Sequence, residues 1–151
     1  MNQHDRVNLN RVHSLRRTRS SRSERRGTAA VEFALVAPIL LLVVMATVEF
    51  GRGMLVKQVL TNASRVAARE ASLPNSTSAE VTTSATNYAL SSGVSGVTVT
   101  VDPSPTVATA GDSITVSVSV NFDDVSWLPS AWFLGGVNLQ ASSVMRKEGF
   151  E

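Results

Sequence analysis

The sequence contains no cysteine, and its only two histidines, His4 and His13, lie close to the N-terminus. The missing thiols exclude disulfide bonds and thiolate chemistry. From Gly27 onward there is neither histidine nor cysteine, which excludes Ser-His-Asp and Cys-His catalysis and ordinary zinc sites in that part of the chain. We therefore predict that the protein is not an enzyme and uses no metal or cofactor.

Carboxylates are the remaining ligands for a hard cation such as calcium. None of the acidic loops has EF-hand spacing, and solvated turn aspartates are the alternative that we favour. The aspartates concerned are Asp102, Asp112, Asp123 and Asp124.

The first 26 residues contain no aromatic side chain and little acidic charge. They hold eight arginines against Asp5 and Glu24, whereas the chain from Gly27 onward carries six basic and ten acidic residues. The charge alone would attract phosphate, but without aromatics the tail cannot stack on bases. We interpret residues 1–27 as a disordered leader that keeps the N-terminus in the cytoplasm. Its topogenic residues are Arg16, Arg17, Arg19, Arg22, Arg25 and Arg26.

No charged residue interrupts the chain between Phe33 and Val48. As a helix, the stretch Thr28–Val48, which includes this charge-free run, would be about 31 Å long, close to the thickness of the hydrocarbon layer. We predict one transmembrane helix over residues 28–50 in a bacterial inner membrane, with Pro38 tolerated inside it. A secretory signal peptide is the alternative, although the sequence around Val48 fits its cleavage site poorly.

Glu32 stands five residues after Gly27, just before the charge-free run. This pattern resembles the N-terminus of type IV prepilins, which are cleaved after a glycine and carry glutamate at the fifth mature position. The string GTAAVEFALVAPILLLVVMATVEFGR, and more weakly the C-terminal VNLQASSVMRKE, resembles TadE-like proteins, the minor pseudopilins of tight-adherence (Tad) pili. The resemblance implies cleavage between Gly27 and Thr28 by a prepilin peptidase, and a role in subunit register for Glu32 and Phe33.

The same cleavage has a physical meaning that depends only on the residues. Removal of the leader would create an α-amino group on Thr28, one helical turn from Glu32, whose charge also favours the N-terminal end of a helix. An unpaired charge in the bilayer core costs about 2.5–3.5 kcal/mol, which favours pairing with the amine of the same or the next subunit. The alternatives are a Glu32 placed in the headgroup layer and a Gly27 that only marks the end of the tail.

Beyond the span, the sequence predicts an α+β fold in which a long N-terminal transmembrane and amphipathic helix packs on a small antiparallel β-sheet, as in pilins. Apolar residues keep helical spacing over residues 51–72, and Pro74 then stops the helix. The small residues Ala63, Ala67 and Ala71 allow either close approach of a neighbouring element or ordinary core packing.

Residues 73–151 are predicted to form an extracytoplasmic, β-rich domain. It begins with a weaker helix over Ser76–Ser92, followed by three alternating segments that predict strands with one buried face. The alternating residues are Val97, Val99 and Val101; Ile114, Val116, Val118, Val120 and Phe122; and Val137, Leu139, Ala141 and Met145.

Two polar and aromatic features remain. Glu49 and Arg52, three residues apart at the end of the span, are interpreted as a solvated ion pair without chemistry. The loop Asp123–Gly136 is either an interface or membrane-surface anchor or, as we favour, a lid folded over the core. Its aromatic residues are Trp127, Trp132 and Phe133.

These features together predict a membrane-anchored TadE-like pseudopilin that takes part in assembly of a Tad-type pilus or a related secretion apparatus. Its expected partners are the lipid bilayer, other pilin subunits, the pilus assembly machinery and prepilin peptidase, and nucleic acid is not among them. One alternative is an uncleaved single-span anchor that presents a small protein-binding domain. A domain secreted after signal-peptide cleavage near residue 48 is the other.

Overall fold

The computed structural model describes residues 21–127 and 133–149. Its elements follow one another as helix, helix, strand, strand, a 3₁₀ turn and strand, so the predicted α+β class is confirmed. They are α1 (Ser21–Ser72), α2 (Ser78–Ser91), β1 (Thr98–Asp102), β2 (Ser113–Asn121), the 3₁₀ turn Phe122–Asp124 and β3 (Asn138–Arg146). The chain divides into two units, unit 1 (Met1–Val44) and unit 2 (Met45–Glu151).

Part of the predicted leader and of the aromatic loop lies outside the described residues. This applies to His4, His13, Arg16, Arg17, Arg19 and Trp132, and to the side chains of Arg22, Arg25 and Arg26.

Helix α1 includes the six residues before Gly27 and continues through Pro38. The boundary that we predicted for the leader therefore does not coincide with a helix end. The helix stops at Ser72, where the sequence predicted it, because Leu73 precedes a proline and so avoids the helical region. Asn75 then takes a left-handed backbone conformation with φ of 62°, which asparagine tolerates better than most residues.

The sheet has three antiparallel strands in the order β1, β2, β3. Val118 of β2 lies opposite Val99 of β1 on one side and Ala141 of β3 on the other. Because β2 is central, alternate residues of this strand are buried from Ile114 to Val120, which confirms the predicted face. The edge strands are covered less completely, and Val137 and Met145, which we placed on the buried face, remain more than a third exposed.

The core of unit 2 lies between the two helices and one face of the sheet. Helix α1 contributes Val56 and Leu60 together with a row of small residues, and α2 contributes Val81, Ala85 and Ala89. Ala63, Ala67 and Ala71 are fully buried in this core. Of the two explanations for the small-residue row, ordinary core packing is therefore the one that the structure supports.

Strand β3 runs alongside α1 in the same direction. Lys57 Nζ donates to the carbonyl of Gln140, the hydroxyls of Ser64 and Ser143 lie 2.8 Å apart, and Lys147 reaches the carbonyl of Ala71. Between the first and last of these contacts the helix rises about 21 Å and the strand about 23 Å. The helix and the strand therefore advance by nearly the same distance between these contacts, and β3 stays in contact with α1 along the length of unit 2.

Candidate functional site

The predicted cleavage residues and Glu32 share one face of α1 in unit 1. Gly27, Thr28, Val31, Glu32 and Leu35 border the same open surface, as spacings of three and four residues require. Glu32 is exposed on this face. The structure therefore brings the predicted cleavage point and the predicted register carboxylate within one helical turn.

Phe33 follows Glu32 directly and so points about 100° away around the helix axis. Its side chain is 71% exposed. The two residues that we assigned to subunit register therefore present different faces of α1.

Unit 1 leaves its apolar surface uncovered. From Gly27 to Val44 every side chain is exposed except the half-buried Ala37. Among the described residues there is one helix, Gly27–Ser72, that is long and apolar enough to cross a membrane, and none of its most apolar window is buried. The exposed apolar side chains are Val31, Phe33, Leu35, Val36, Ile39, Leu40, Leu41, Leu42, Val43 and Val44.

Glu49 and Arg52 are not the solvated pair that the sequence suggested. Their side chains are only 1% and 9% exposed, respectively. Glu49 Oε2 accepts a hydrogen bond of 2.9 Å from the backbone N–H of Phe133. Its other oxygen, Oε1, is buried and has no hydrogen-bond partner among the described residues. The prediction of a solvated pair was wrong because the helical spacing of apolar residues was evident only beyond Gly53, whereas the buried face of α1 begins at Glu49.

Arg52 binds two loops through its guanidinium group. Nε donates to the carbonyl of Val125 at 2.9 Å, and Nη2 donates to the carbonyl of Gly93 at 3.2 Å. The same group lies 4.8 Å from the centre of the Trp127 ring, within the range of a cation–π interaction. Arg52 thus joins the end of α2 and the loop after β2 to the first turns of α1 in unit 2.

Glu49 and Arg52 together hold both described ends of the connection between β2 and β3, residues 122–137, which we call the β2–β3 loop. A glycine makes this docking close: a Cβ at Gly53 would come within 3.1 Å of Leu134 Cδ1 and 3.6 Å of Phe122. The side chains of Trp127 and Phe133 remain 67% and 51% exposed, so these two aromatic residues do not cover the core as the lid that we favoured would require. Phe122 and Val125 of the loop belong to the buried core, and Leu134 packs against it.

A third buried charged side chain lies at the opposite end of unit 2, where α1 stops. Lys147 Nζ donates to the carbonyl of Leu73 at 2.6 Å, to Ser76 Oγ at 3.1 Å and to the carbonyl of Ala71 at 3.4 Å. A cation that binds the last carbonyls of a helix also complements its dipole. A pocket of about 470 Å³ opens beside it. All three ammonium donors are used, so Lys147 fastens the end of β3 to the end of α1.

Two of the aspartates considered for a cation, Asp112 and Asp123, have turn roles in the structure. Asp112 Oδ2 accepts hydrogen bonds from the hydroxyl and the backbone N–H of Thr109, and these bonds lower the pKa of Asp112 below its ordinary value. Asp123 Oδ2 accepts from the N–H of Gly136 at 3.0 Å and closes the β2–β3 loop. Within the described residues no three His, Cys, Asp or Glu side chains are grouped so as to hold a metal ion.

The fold and these two regions define a class of protein: a chain with one candidate membrane helix that leads into a small α+β domain. Residues 27–69 match the family described as TadE-like protein, which confirms the resemblance for this part of α1. The match ends before α2 and the sheet. Searches of curated proteins and of solved structures found no significant match.

Proposed function

We propose that the protein is a membrane-anchored TadE-like pseudopilin that takes part in assembly of a Tad-type pilus or a related secretion apparatus. One observation carries this proposal: the stretch that matches the TadE-like family includes the segment of α1 that exposes its apolar surface. In this function the N-terminus lies in the cytoplasm, α1 crosses the bacterial inner membrane, and unit 2 is extracytoplasmic. Other pilin subunits and the assembly machinery are its protein partners.

The exposed side chains of unit 1 require an apolar environment. Burying one Val, Leu, Ile or Phe side chain stabilises a protein by about 1.5–3 kcal/mol relative to leaving it in water. At least ten such side chains are exposed between Val31 and Val44. Lipid tails, and later the helices of neighbouring subunits, would supply that environment.

Glu32 has the role of an assembly carboxylate in this proposal. Prepilin peptidase would cut between Gly27 and Thr28 and leave an ammonium group on the face of α1 that carries Glu32. Pairing between this carboxylate and the new amine of an adjacent subunit would set the axial register of the helices. The protein is then a structural subunit, and it serves as a substrate of an enzyme without being one.

N-terminal sequencing of the protein recovered from the membrane tests the processing step. A mature chain that starts at Thr28 supports the pseudopilin. A chain that starts at Met1 supports the alternative of an uncleaved anchor, and a start near Glu49 supports a secreted domain.

Glu32→Ala tests the register role. We expect the variant to insert into the membrane like the wild type but to be strongly reduced in isolated filaments or in the assembled apparatus. Glu70→Ala is the matched control, since it removes a carboxylate from the same helix in unit 2. Equal incorporation of the Glu32→Ala variant and the wild type would falsify the register role.

A further inference from the structure

The described part of the β2–β3 loop is fixed to the first turns of α1 in unit 2. Phe133 is held through its backbone N–H by Glu49, and Trp127 is held through its ring by Arg52. Val125, two residues before Trp127, accepts a buried hydrogen bond from the same arginine. The two aromatic residues therefore have defined positions next to this part of the helix.

Exposed aromatic residues are concentrated at this end of unit 2. Phe50, Trp127 and Phe133 are 64%, 67% and 51% exposed. The other aromatic residues that the structure describes in this unit are Phe122, which is buried, and Tyr88, which is half-buried against the core. We call Phe50, Trp127 and Phe133 the aromatic rim. Three large apolar side chains exposed at the same end of unit 2 favour a partner, because water solvates them poorly.

The position of the rim along α1 indicates which partner covers it. The charge-free run ends at Val48, and its last four residues belong to unit 2 together with the rim. Arg52, which stacks on Trp127, lies about 6 Å further along the helix axis than Val48. If α1 crosses a bilayer with its charge-free run, the rim therefore lies at the boundary between acyl chains and headgroups. Aromatic side chains, above all tryptophan, are enriched at that depth.

We propose that the aromatic rim inserts into the phospholipid interface on the side of the membrane where α1 leaves the bilayer. The inference rests on the proposed function only in requiring that α1 spans the membrane. Glu49 and Arg52 are positioning residues in this arrangement, because they hold Phe133 and Trp127 and do not touch lipid themselves. The rim fixes the depth of α1 in the bilayer and resists withdrawal of the subunit.

Tryptophan fluorescence of the full chain in vesicles of phosphatidylethanolamine and phosphatidylglycerol tests this inference. In Trp132→Phe, Trp127 is the sole tryptophan. We expect its emission to be blue-shifted relative to tryptophan in water. It should be quenched more strongly by lipids brominated near the headgroup than by lipids brominated near the end of the acyl chain.

The matched control carries its tryptophan at the opposite end of unit 2. Val107 is 75% exposed and lies beside Thr106 and Ala108, which border the pocket next to Lys147. With Trp127→Phe and Trp132→Phe in the background, Val107→Trp should emit as in water and escape quenching by either lipid. Phe133→Trp in that same background is a second probe of the rim, which reports on a different rim position from Trp127.

The outcomes separate the inference from the function on which it rests. In one outcome the chain stays in the vesicles through an alkaline wash while both rim probes show water-like, unquenched emission. That result contradicts insertion of the aromatic rim but is consistent with α1 as a membrane anchor. Release of the chain by the wash overturns both. A blue shift of the tryptophan emission that grows with the protein-to-lipid ratio, without quenching by brominated lipid, would indicate that the rim contacts other copies of the chain. That result also overturns the inference.

Discussion

Glu49 is a buried carboxylate whose contribution to the stability of unit 2 depends on a single hydrogen bond. One oxygen binds the N–H of Phe133, and the other has no partner among the described residues. A buried charge that is only partly hydrogen-bonded is costly, whereas a lost acceptor leaves the N–H of Phe133 unsatisfied. The amide of glutamine keeps the acceptor without the charge.

We therefore expect Glu49→Gln to leave the free energy of unfolding of unit 2 unchanged or slightly higher. Glu49→Ala should lower it by about 1–3 kcal/mol, because it removes the acceptor and leaves a void. Urea unfolding of the full chain in detergent micelles, followed by circular dichroism, measures both values. Equal loss of stability in the two variants would contradict the assigned role of the hydrogen bond.

Lys147 gives a second prediction for a single residue. Its ammonium group binds the carbonyls of Ala71 and Leu73 and the hydroxyl of Ser76, and the side chain is buried. Lys147→Met keeps the length of the side chain but leaves these acceptors unsatisfied, so we expect a loss of about 1.5–3 kcal/mol in the same unfolding measurement. Arg146→Met, at an exposed position beside it, is the control and should stay within about 0.5 kcal/mol of the wild type.

At the scale of elements, two glycines of α1 make a matched pair. A Cβ at Gly51 meets nothing within 4 Å, whereas one at Gly53 approaches Leu134 to 3.1 Å. Gly51→Ala should raise the free energy of unfolding by about 0.5–1 kcal/mol, because alanine favours the helix. Gly53→Leu should lower it by about 1–3 kcal/mol, since it displaces Leu134 and overpacks the docked loop. A stabilising Gly53→Leu would show that the β2–β3 loop does not dock closely on α1.

The contribution of the α2 N-terminus to stability is expected to depend on pH. Thr77 and Glu80 form a capping box, and the hydrogen bonds from the backbone N–H and hydroxyl of Thr77 lower the pKa of Glu80 below its ordinary value of 4.5. Because the pKa is lower in the folded than in the unfolded chain, ionised Glu80 stabilises the fold above about pH 4.5. That contribution is lost as the pH falls through the lowered pKa.

Thermal unfolding between about pH 6 and pH 2 measures this loss. The pKa of Asp112 is lowered in the same way and contributes at slightly lower pH. We expect Glu80→Gln to reduce the loss of stability in the higher part of this pH range and Asp112→Asn to reduce it in the lower part. Thr77→Ala should cost about 1 kcal/mol at neutral pH through loss of the cap. A Glu80→Gln profile that overlays the wild type would show that the capping box contributes nothing to the acid dependence.

At the scale of the whole molecule, the absence of cysteine makes the orientation of the chain directly measurable. A single introduced thiol reacts with a membrane-impermeant maleimide only on the accessible side. In spheroplasts we expect Val107→Cys to be labelled before lysis and Ser20→Cys only after lysis, and only in chains that retain the leader. Labelling of Ser20→Cys in intact spheroplasts would reverse the proposed orientation.

Most of the secondary structure of unit 2 could be predicted because it depends on local patterns. Alternating valines mark β1 and β2, and Pro74 marks the end of α1. The stripe that begins with Val56 and Leu60 could have been extended backward at the same spacing to Arg52 and Glu49, which would have placed both on the buried face. Their partners were beyond local reasoning, because Phe133 lies 84 residues from Glu49 and Val125 lies 73 residues from Arg52.

The sequence by itself determined the apolar span, the glycine and glutamate that precede it, and the α+β class. These features depend on composition and on spacings within a few helical turns, so the chain carries them whatever its tertiary contacts. Only the tertiary structure decided that Glu49 and Lys147 are buried at opposite ends of unit 2 and that Trp127 and Phe133 remain exposed. The reason is that a buried polar group must find a hydrogen-bond partner, and which distant backbone group lies within reach is set by how the strands run along α1.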